Sequence, residues 1–210
     1  MDPKINYQIE QEKLIRSLNG EIPPRLLLHS CCAPCSSAVL EYLAEHFAIT
    51  VFYFNPNIFP EEEFIHRIEE QKRLIRELSC KNPVEFTEQG WQSERFYEAV
   101  KGLESIPEGG ERCFVCYRLR LEETARLAAE RGFDYFTTTL SVSPYKNAAK
   151  LNQIGEELGE KYSVKHLPSD FKKKNGYKRS IELSAKYGLY RQNYCGCVFS
   201  QKEAENRKRG

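Results

Sequence analysis

The sequence has neither a strong excess of charge of one sign nor a long apolar run. Its 210 residues include 31 Lys and Arg against 30 Asp and Glu, a formal net charge of +1, so the overall charge predicts no binding to nucleic acid or to a membrane surface. Any such surface must be a local patch. Residues 1–20 are polar with scattered apolar positions, unlike a signal peptide, and no segment approaches the length of a membrane span. We therefore expect a cytoplasmic protein that makes no membrane contact.

Internal repeats, low-complexity tracts and linker-like segments are also missing from the sequence. Apolar residues make up 40% and charged residues 29% of the chain, which is the composition of a globular protein, and the length suits one domain. We therefore predict a single α/β domain over residues 1–210, with a helix in residues 1–20 and a flexible basic tail over residues 201–210.

Glycine is missing from the turn after the first predicted strand. Apolar runs such as "RLLLH" alternate along the chain with amphipathic stretches such as the one that starts at "APCSS". This alternation predicts a Rossmann-like or HUP-like α/β fold, in which helices flank a parallel sheet. Ligands of such sheets bind at the carboxyl ends of the strands. There, in "SCCAPCSS" at residues 30–37, cysteines replace the glycines that would cradle a phosphate. We therefore expect a metal cluster at this edge of the sheet.

Seven of the eight cysteines fall into three groups, which in a reducing compartment indicates metal binding or redox chemistry rather than structural disulfides. Two sulfurs from "CCAPC" and two from "CFVC" would form a four-thiolate site for zinc or an iron–sulfur cluster. The 77 residues between Cys35 and Cys113 favour a cluster, because zinc ribbons space their knuckles more closely. Cys80 stands alone, and we interpret it as a packing or surface residue. The three groups are Cys31, Cys32 and Cys35; Cys113 and Cys116; and Cys195 and Cys197.

The third group, Cys195 and Cys197, has a single glycine between its cysteines. A disulfide across so short a ring is strained, and strained disulfides are the redox-active ones. The alternatives are two further metal ligands or two incidental thiols. A dithiol holds two electrons, whereas a cluster passes them singly, so the combination indicates a two-electron reduction that is fed by an external one-electron donor.

The stretch "DFKKKNGYKRS" at residues 170–180 carries a local excess of positive charge. Its cations are interleaved with Phe171 and Tyr177, a pattern typical of contact with RNA phosphates and bases. The alternative is a solvated charged loop. The predicted contact residues are Lys172, Lys173, Lys174, Lys178 and Arg179.

The stretch "TTTLSVSPYKN" at residues 137–147 places hydroxyl groups at the end of a predicted strand. Its Ser141, Ser143, Tyr145 and Lys146 could bind a polar substrate, or the stretch could simply lead into a capped helix. His29 lies inside the apolar strand, where a hydrogen-bonded core histidine is expected. Asp170 is a possible proton donor by its position alone.

Five stretches together resemble the QueH-type epoxyqueuosine reductases over roughly residues 25–200. In chain order they are "LLLHSCCAPCS", "PEGGERCFVCYRLRL", "FTTTLSVSPYKN", "DFKKKNGYKRS" and "LYRQNYCGCVFS". The resemblance implies an oxidoreductase of tRNA processing that performs the last step of queuosine biosynthesis. Such an enzyme reduces the epoxide of epoxyqueuosine, at the wobble position of certain tRNAs, to the cyclopentene of queuosine.

The resemblance also implies cofactors and site residues. It assigns a 4Fe–4S cluster to Cys31, Cys32, Cys113 and Cys116, assigns a redox-active disulfide to Cys195 and Cys197, and implies that no cobalamin is used.

The remaining site assignments are hypotheses about residues that the cluster leaves over. Cys35 is close enough in sequence to hold a second, mononuclear metal such as iron, and Tyr145 or Asp170 is proposed as the proton donor. Two other functions stay open. One is a zinc-stabilised tRNA-binding module without catalysis. The other is a sulfur-transfer tRNA-modifying enzyme, which would need the glycine-rich loop that "SCCAPCSS" lacks.

Overall fold

The computed structural model describes residues 5–209 and contains a five-stranded sheet with helices on both faces. All strand pairs are parallel, and the strand order is β3-β2-β1-β4-β5. The predicted parallel α/β fold is therefore confirmed. The strands are β1 Arg25–His29, β2 Ala48–Tyr53, β3 Val84–Glu88, β4 Tyr135–Thr138 and β5 Lys165–His166. The helices are α1 Tyr7–Ser17, α2 Ala33–Leu43, α3 Glu61–Glu77, α4 Ser93–Ala99, α5 Glu111–Glu130, α6 Ala148–Tyr162, α7 Gly176–Lys186 and α8 Val198–Arg209, with a 3₁₀ turn at Thr139–Val142.

The central strand β1 is buried on both faces. Leu26, Leu27 and Leu28 are 0% exposed, and each such side chain contributes about 1.5–3 kcal/mol of hydrophobic free energy. Successive side chains of a strand point to opposite faces. Leu26 and Leu28 accordingly pack in a core with α2 and α3, and Leu27 packs in a second core with α5 and α6.

The position of β1 in the sheet determines where a ligand can bind. The chain leaves β1 towards β2 on one side, and β4 pairs with β1 on the other side. A crevice opens at such a topological switch point, beyond the carboxyl ends of the two strands. "SCCAPCSS" follows β1, and the turn that contains Tyr145 follows β4, so both face this crevice.

The two ends of the chain differ in how far they match expectation. The helix predicted in residues 1–20 is α1, and residues 1–4 lie outside the described part of the chain. Residues 201–209, predicted as a flexible tail, belong to helix α8. Ser200 is fully buried, and Glu203 pairs with Arg112. Within residues 5–209, no helix is long and apolar enough to cross a membrane.

The turn before α7 depends on a glycine. A Cβ atom on Gly176 would lie 1.9 Å from the carbonyl oxygen of Phe171, so any side chain must displace the backbone of residues 171–176. We expect Gly176→Ala to cost about 1–3 kcal/mol, as overpacking does, and to lower the Tm by roughly 2–10 °C. Thermal unfolding followed by circular dichroism measures this. Gly90→Ala is the control, because nothing lies within 4 Å of its Cβ position. A Gly176→Ala variant as stable as the wild type would contradict this account of the turn.

Candidate functional site

Each of the three cysteine groups lies at the N-terminus of a helix. Cys32 is the N-cap of α2, Cys113 lies in the first turn of α5, and Cys197 directly precedes α8. Backbone N–H groups and the helix dipole favour a thiolate at such positions. Two of these sulfurs accept backbone hydrogen bonds: Gly109 N–H donates to Cys113 Sγ at 3.3 Å, and Ser200 N–H donates to Cys197 Sγ at 3.4 Å.

The first group forms a compact set of sulfurs. The Sγ atoms of Cys31, Cys32 and Cys35 all lie within 4.8 Å of one another, and those of Cys32 and Cys35 are 2.7 Å apart. Contact with the Cys32 and Cys35 thiols holds the pKa of Cys31 well below its usual range. Contact with Cys31 and Cys32, followed by burial, raises the pKa of Cys35. The trio thus resembles a metal-ligand set, and it includes Cys35.

Two adjoining cavities bring the three groups together. The outer cavity, of about 390 Å³, is lined by Cys31, Cys32 and Cys35. The inner cavity, of about 20 Å³, is lined by Cys113, Cys116 and Cys197. Cys195 lines both cavities. The cysteine groups, which are far apart in the sequence, therefore line two cavities that share Cys195, Glu108 and Lys146. Among residues 5–209, the group of three or more sulfurs that lie within 4.8 Å of one another is that of Cys31, Cys32 and Cys35.

Burial opposes ionisation of the second group. It raises the pKa of the Cys116 thiol to about 12 and also raises the pKa of Cys113. A metal binds the deprotonated thiolate, and metal binding therefore releases these protons. The two thiols consequently fit a site for a metal group, because bound metal would supply the positive charge that stabilises their thiolate form against burial.

Two buried arginines lie among the thiols, and the analysis of the sequence missed both. Arg67 is 2% and Arg120 1% exposed. Arg67 Nε binds Glu63 at 2.7 Å and Arg67 Nη1 donates to the Cys195 carbonyl at 3.3 Å. Arg120 Nε donates to the Cys116 carbonyl at 3.3 Å. Two spacings in the sequence could have indicated these arginines. Arg67 follows Glu63 by four residues and Arg120 follows Cys116 by four residues, and residues four apart lie on the same face of a helix.

The two guanidinium groups have unused hydrogen-bonding capacity. Within residues 5–209, no acceptor lies within hydrogen-bonding distance of Arg67 Nη2 or Arg120 Nη2. Burial disfavours the cation of Arg120, but Cys116, Cys195 and Cys31 offset this once they are ionised, so the Arg120 pKa stays above its usual value. Buried cations of this kind stabilise thiolates or a bound anionic group.

An ion-pair network joins the segments around the inner cavity. Lys146 Nζ binds Glu108 at 3.0 Å, and Arg112 Nη2 binds Glu203 at 3.1 Å. The Glu203 carboxylate also accepts the Glu108 backbone N–H, at 3.2 and 3.3 Å to its two oxygens. The network therefore ties α8, which follows Cys197, to the start of α5 and to the turn after β4.

Comparison with known proteins identifies the family. The family model described as Epoxyqueuosine reductase QueH matches residues 26–203. Epoxyqueuosine reductase QueH of Streptococcus pyogenes serotype M1 is 44% identical over 202 residues, which cover 95% of this chain and 79% of the relative. The protein of the same name from Thermotoga maritima is 38% identical over 192 residues, covering 88% of this chain and 97% of the relative. The chain belongs to the QueH family. The resemblance inferred from the five stretches is thus confirmed.

A solved structure also shares the fold of this QueH-family chain. It is the U34-tRNA thiolase NcsA from Methanococcus maripaludis with its [4Fe-4S] cluster, with a TM-score of 0.53 and 12% identity. The alignment covers 97% of this chain and 73% of that chain. At this identity the likeness concerns the fold alone.

The two residues predicted as proton donors lie in different surroundings. Tyr145 lines the outer cavity and is 75% exposed. Asp170 is buried, binds Lys172, and is not among the residues that line the outer or inner cavity.

His29 is a hydrogen-bonded core histidine as expected. Its Nδ1 lies 2.8 Å from Thr138 Oγ1 and its Nε2 3.1 Å from the Phe54 carbonyl, and burial lowers its pKa to about 4.

The basic segment is largely neutralised in the folded QueH-family chain. Three of its five cations pair with carboxylates, and two of these carboxylates come from other helices. Lys173 Nζ donates to Asn6 Oδ1 at 3.1 Å instead, and Lys178 has no carboxylate within 4.0 Å in the described part of the chain. The three ion pairs are Lys172 with Asp170, Lys174 with Glu12, and Arg179 with Glu41.

The docking of α8 can be tested through Glu203. Because Arg112 is 3% exposed, loss of the Glu203 charge leaves a buried cation poorly paired, at a cost of about 1–3 kcal/mol. We expect Glu203→Gln to increase amide hydrogen exchange in residues 198–209 by roughly fivefold or more. The control is Glu205→Gln, an exposed position on the same helix. Equal exchange in the two variants would contradict the role of this ion pair.

Proposed function

We propose that this chain reduces the epoxide of epoxyqueuosine, at the wobble position of tRNA, to the cyclopentene of queuosine. The observation that carries the proposal is that three cysteine groups line two adjoining cavities, of about 390 and 20 Å³, which share Cys195. The larger cavity is open to the substrate. Its volume lies within the usual range for sites that bind small molecules. Membership of the QueH family supports the same reaction. The proposed tRNA substrate supports a cytoplasmic location for the reaction.

Cys195 and Cys197 can supply the two electrons. In the proposed reaction both C–O bonds of the epoxide break and a C=C bond forms. The two thiols lose two electrons and two protons and form an S–S bond, and the epoxide oxygen leaves as water. Gly196, between the two cysteines, has a φ of 120°, which other residues rarely adopt, so the backbone of this segment depends on the glycine. Arg67 holds the segment through the Cys195 carbonyl.

The cluster proposed for this site would be held by Cys31, Cys32, Cys113 and Cys116. The positions of these thiols near the N-termini of α2 and α5 support this set. The [4Fe-4S] cluster named for the solved thiolase of similar fold is compatible with a cluster on this fold. Such a cluster supplies one-electron transfer, which would regenerate the dithiol in two steps from an external one-electron donor. Arg120 provides compensating positive charge beside these sulfurs. No cobalamin is needed for this chemistry.

Cys35 and the proton donor complete the proposed site. We assign Cys35 to a second, mononuclear iron because its sulfur lies beside that of Cys32, outside the four proposed cluster ligands. Tyr145 and Asp170 stay the predicted proton donors. Lys146 lines both cavities with Glu108 and can hydrogen-bond a polar substrate beside Cys195.

Metal content tests the site directly. Protein purified without oxygen should be brown and contain about five irons, of which about four belong to a cluster with matching sulfide. Cys113→Ser and Cys116→Ser should lose most of this iron, because each removes one thiolate ligand. Cys80→Ser is the matched control, since Cys80 packs against the core near α2 and lines neither cavity. Cys35→Ala should contain about one iron fewer than the wild type. An iron content equal to that of the wild type would contradict the proposed mononuclear site.

The same preparation decides between the reductase and a binding module. Incubation with a chemical reductant and tRNA that carries epoxyqueuosine should yield queuosine, as measured by mass spectrometry of the nucleosides. A colourless protein with one zinc and no product would favour a zinc-stabilised tRNA-binding module. A thiolated nucleoside as product would favour sulfur transfer.

Lys172, Lys173, Lys174, Lys178 and Arg179 stay the proposed contacts to the RNA backbone. We expect Lys178 to contribute more than its neighbour Arg179, because Arg179 binds Glu41 and Glu182. Lys178→Ala should weaken tRNA binding and reduce the slope of log Kd against log salt by about 0.7–0.9. Arg179→Ala should change that slope less. Equal slopes for wild type and Lys178→Ala would indicate that this lysine is merely solvated.

A further inference from the structure

We propose that the mouth of the outer cavity holds the single-stranded loop of the RNA, with the Tyr145 ring stacked on a base next to the target nucleotide. The mouth is formed by Tyr145, Tyr177, Arg191 and Arg207, which all line the outer cavity. The inference rests on the proposed function, because it takes the class of substrate from it.

Tyr145 presents an exposed ring on a firmly held turn. The ring is 75% exposed, whereas the backbone around it is fixed. Tyr145 N–H donates to Ser143 Oγ at 3.3 Å, and Lys146 N–H donates to the Ser143 carbonyl at 3.2 Å. The buried ion pair between Lys146 and Glu108 anchors the next residue. Because these contacts hold the backbone of the turn, only the Tyr145 side chain has to be ordered when a base stacks on it, and such stacking contributes about 1–3 kcal/mol per base.

The mouth also carries positive charge that the protein does not cancel. The Arg191 guanidinium donates to Ser184 Oγ at 2.9 Å and to the Ser180 carbonyl at 3.4 Å, and both acceptors are neutral. In the described chain, no carboxylate lies within 4.0 Å of it. Arg207 lies 3.8 Å from Glu108, which already binds Lys146 at 3.0 Å, so one carboxylate faces two cations. This excess complements the phosphates on either side of a bound nucleotide.

A stacking partner at this position suits the proposed reaction. The thiols of Cys31, Cys32 and Cys195 lie in the cavity. In the proposed complex, the nucleotide that carries the epoxide turns towards them, which weakens its stacking on the neighbouring base. Proteins that recognise single-stranded RNA replace such contacts with aromatic side chains, and Tyr145 is the most exposed of the tyrosines that line the cavity.

Binding of a labelled RNA tests the inference. The probe is an anticodon stem-loop with guanosine at the wobble position and fluorescent 2-aminopurine as the next base, whose emission falls on stacking. We expect Tyr145→Ala to weaken binding roughly 5- to 100-fold and to abolish the quenching, with the salt slope unchanged. Tyr145→Phe should keep both the affinity and the quenching, because stacking needs only the ring.

Two further variants separate charge from stacking. Arg191→Gln should reduce the salt slope by about 0.7 for one lost phosphate contact to a single strand, while the quenching persists. Tyr97→Ala is the control, because Tyr97 is a partly exposed tyrosine that lines neither cavity. A blunt RNA duplex should bind Tyr145→Ala and wild type equally.

Two outcomes would overturn the inference. Tyr145→Ala could bind and quench like the wild type, or Tyr145→Phe could be impaired as much as Tyr145→Ala, which would assign the role to the hydroxyl group. Neither readout depends on reduction of the epoxide. Failure of the reductase assay with intact Tyr145-dependent binding would therefore count against the proposed function and leave the stacking site standing.

Discussion

Buried sulfur anions need compensating positive charge, and the site of this protein depends on how that charge is supplied. Burial raises the pKa of the Cys113 and Cys116 thiols, which without compensation would stay protonated. Arg67 and Arg120 place guanidinium groups against the cysteine segments, and each keeps one N–H group without an acceptor among residues 5–209. A thiolate-bound group would satisfy both the charges and these donors.

The fold explains why those charges can meet. A parallel sheet directs the carboxyl ends of all its strands to one edge, where the helices that follow begin. The segment after β1 and the N-termini of α2 and α5 therefore converge from different parts of the chain. The segment that precedes helix α8 adds Cys195 and Cys197 from outside the sheet, and the ion pair between Arg112 and Glu203 holds that helix in place. The position of Cys195 and Cys197 thus depends on side-chain electrostatics more than on sheet geometry.

The two surfaces that an RNA could contact differ in how far carboxylates neutralise their positive charge. In the basic segment, Lys172, Lys174 and Arg179 are paired with carboxylates, which reduces the field that they present to a phosphate. At the mouth of the outer cavity, Arg191 is held by neutral oxygens and keeps its full charge. The number of lysines in a segment is therefore a weaker indication of RNA contact than whether each cation is paired with a carboxylate in the folded protein.

Features that depend on neighbouring residues could be predicted from the sequence. The alternation of apolar runs and amphipathic stretches predicted the parallel α/β fold, and the cysteine motifs predicted sulfur chemistry at the starts of helices, because both patterns are local. Contacts between distant residues are set by the folded structure instead. It joined Cys195 to Cys31 at one cavity, buried Arg67 and Arg120 beside the thiols, and paired Lys174 with Glu12 and Arg179 with Glu41. Such contacts depend on how whole helices pack against the sheet, and no local pattern encodes them.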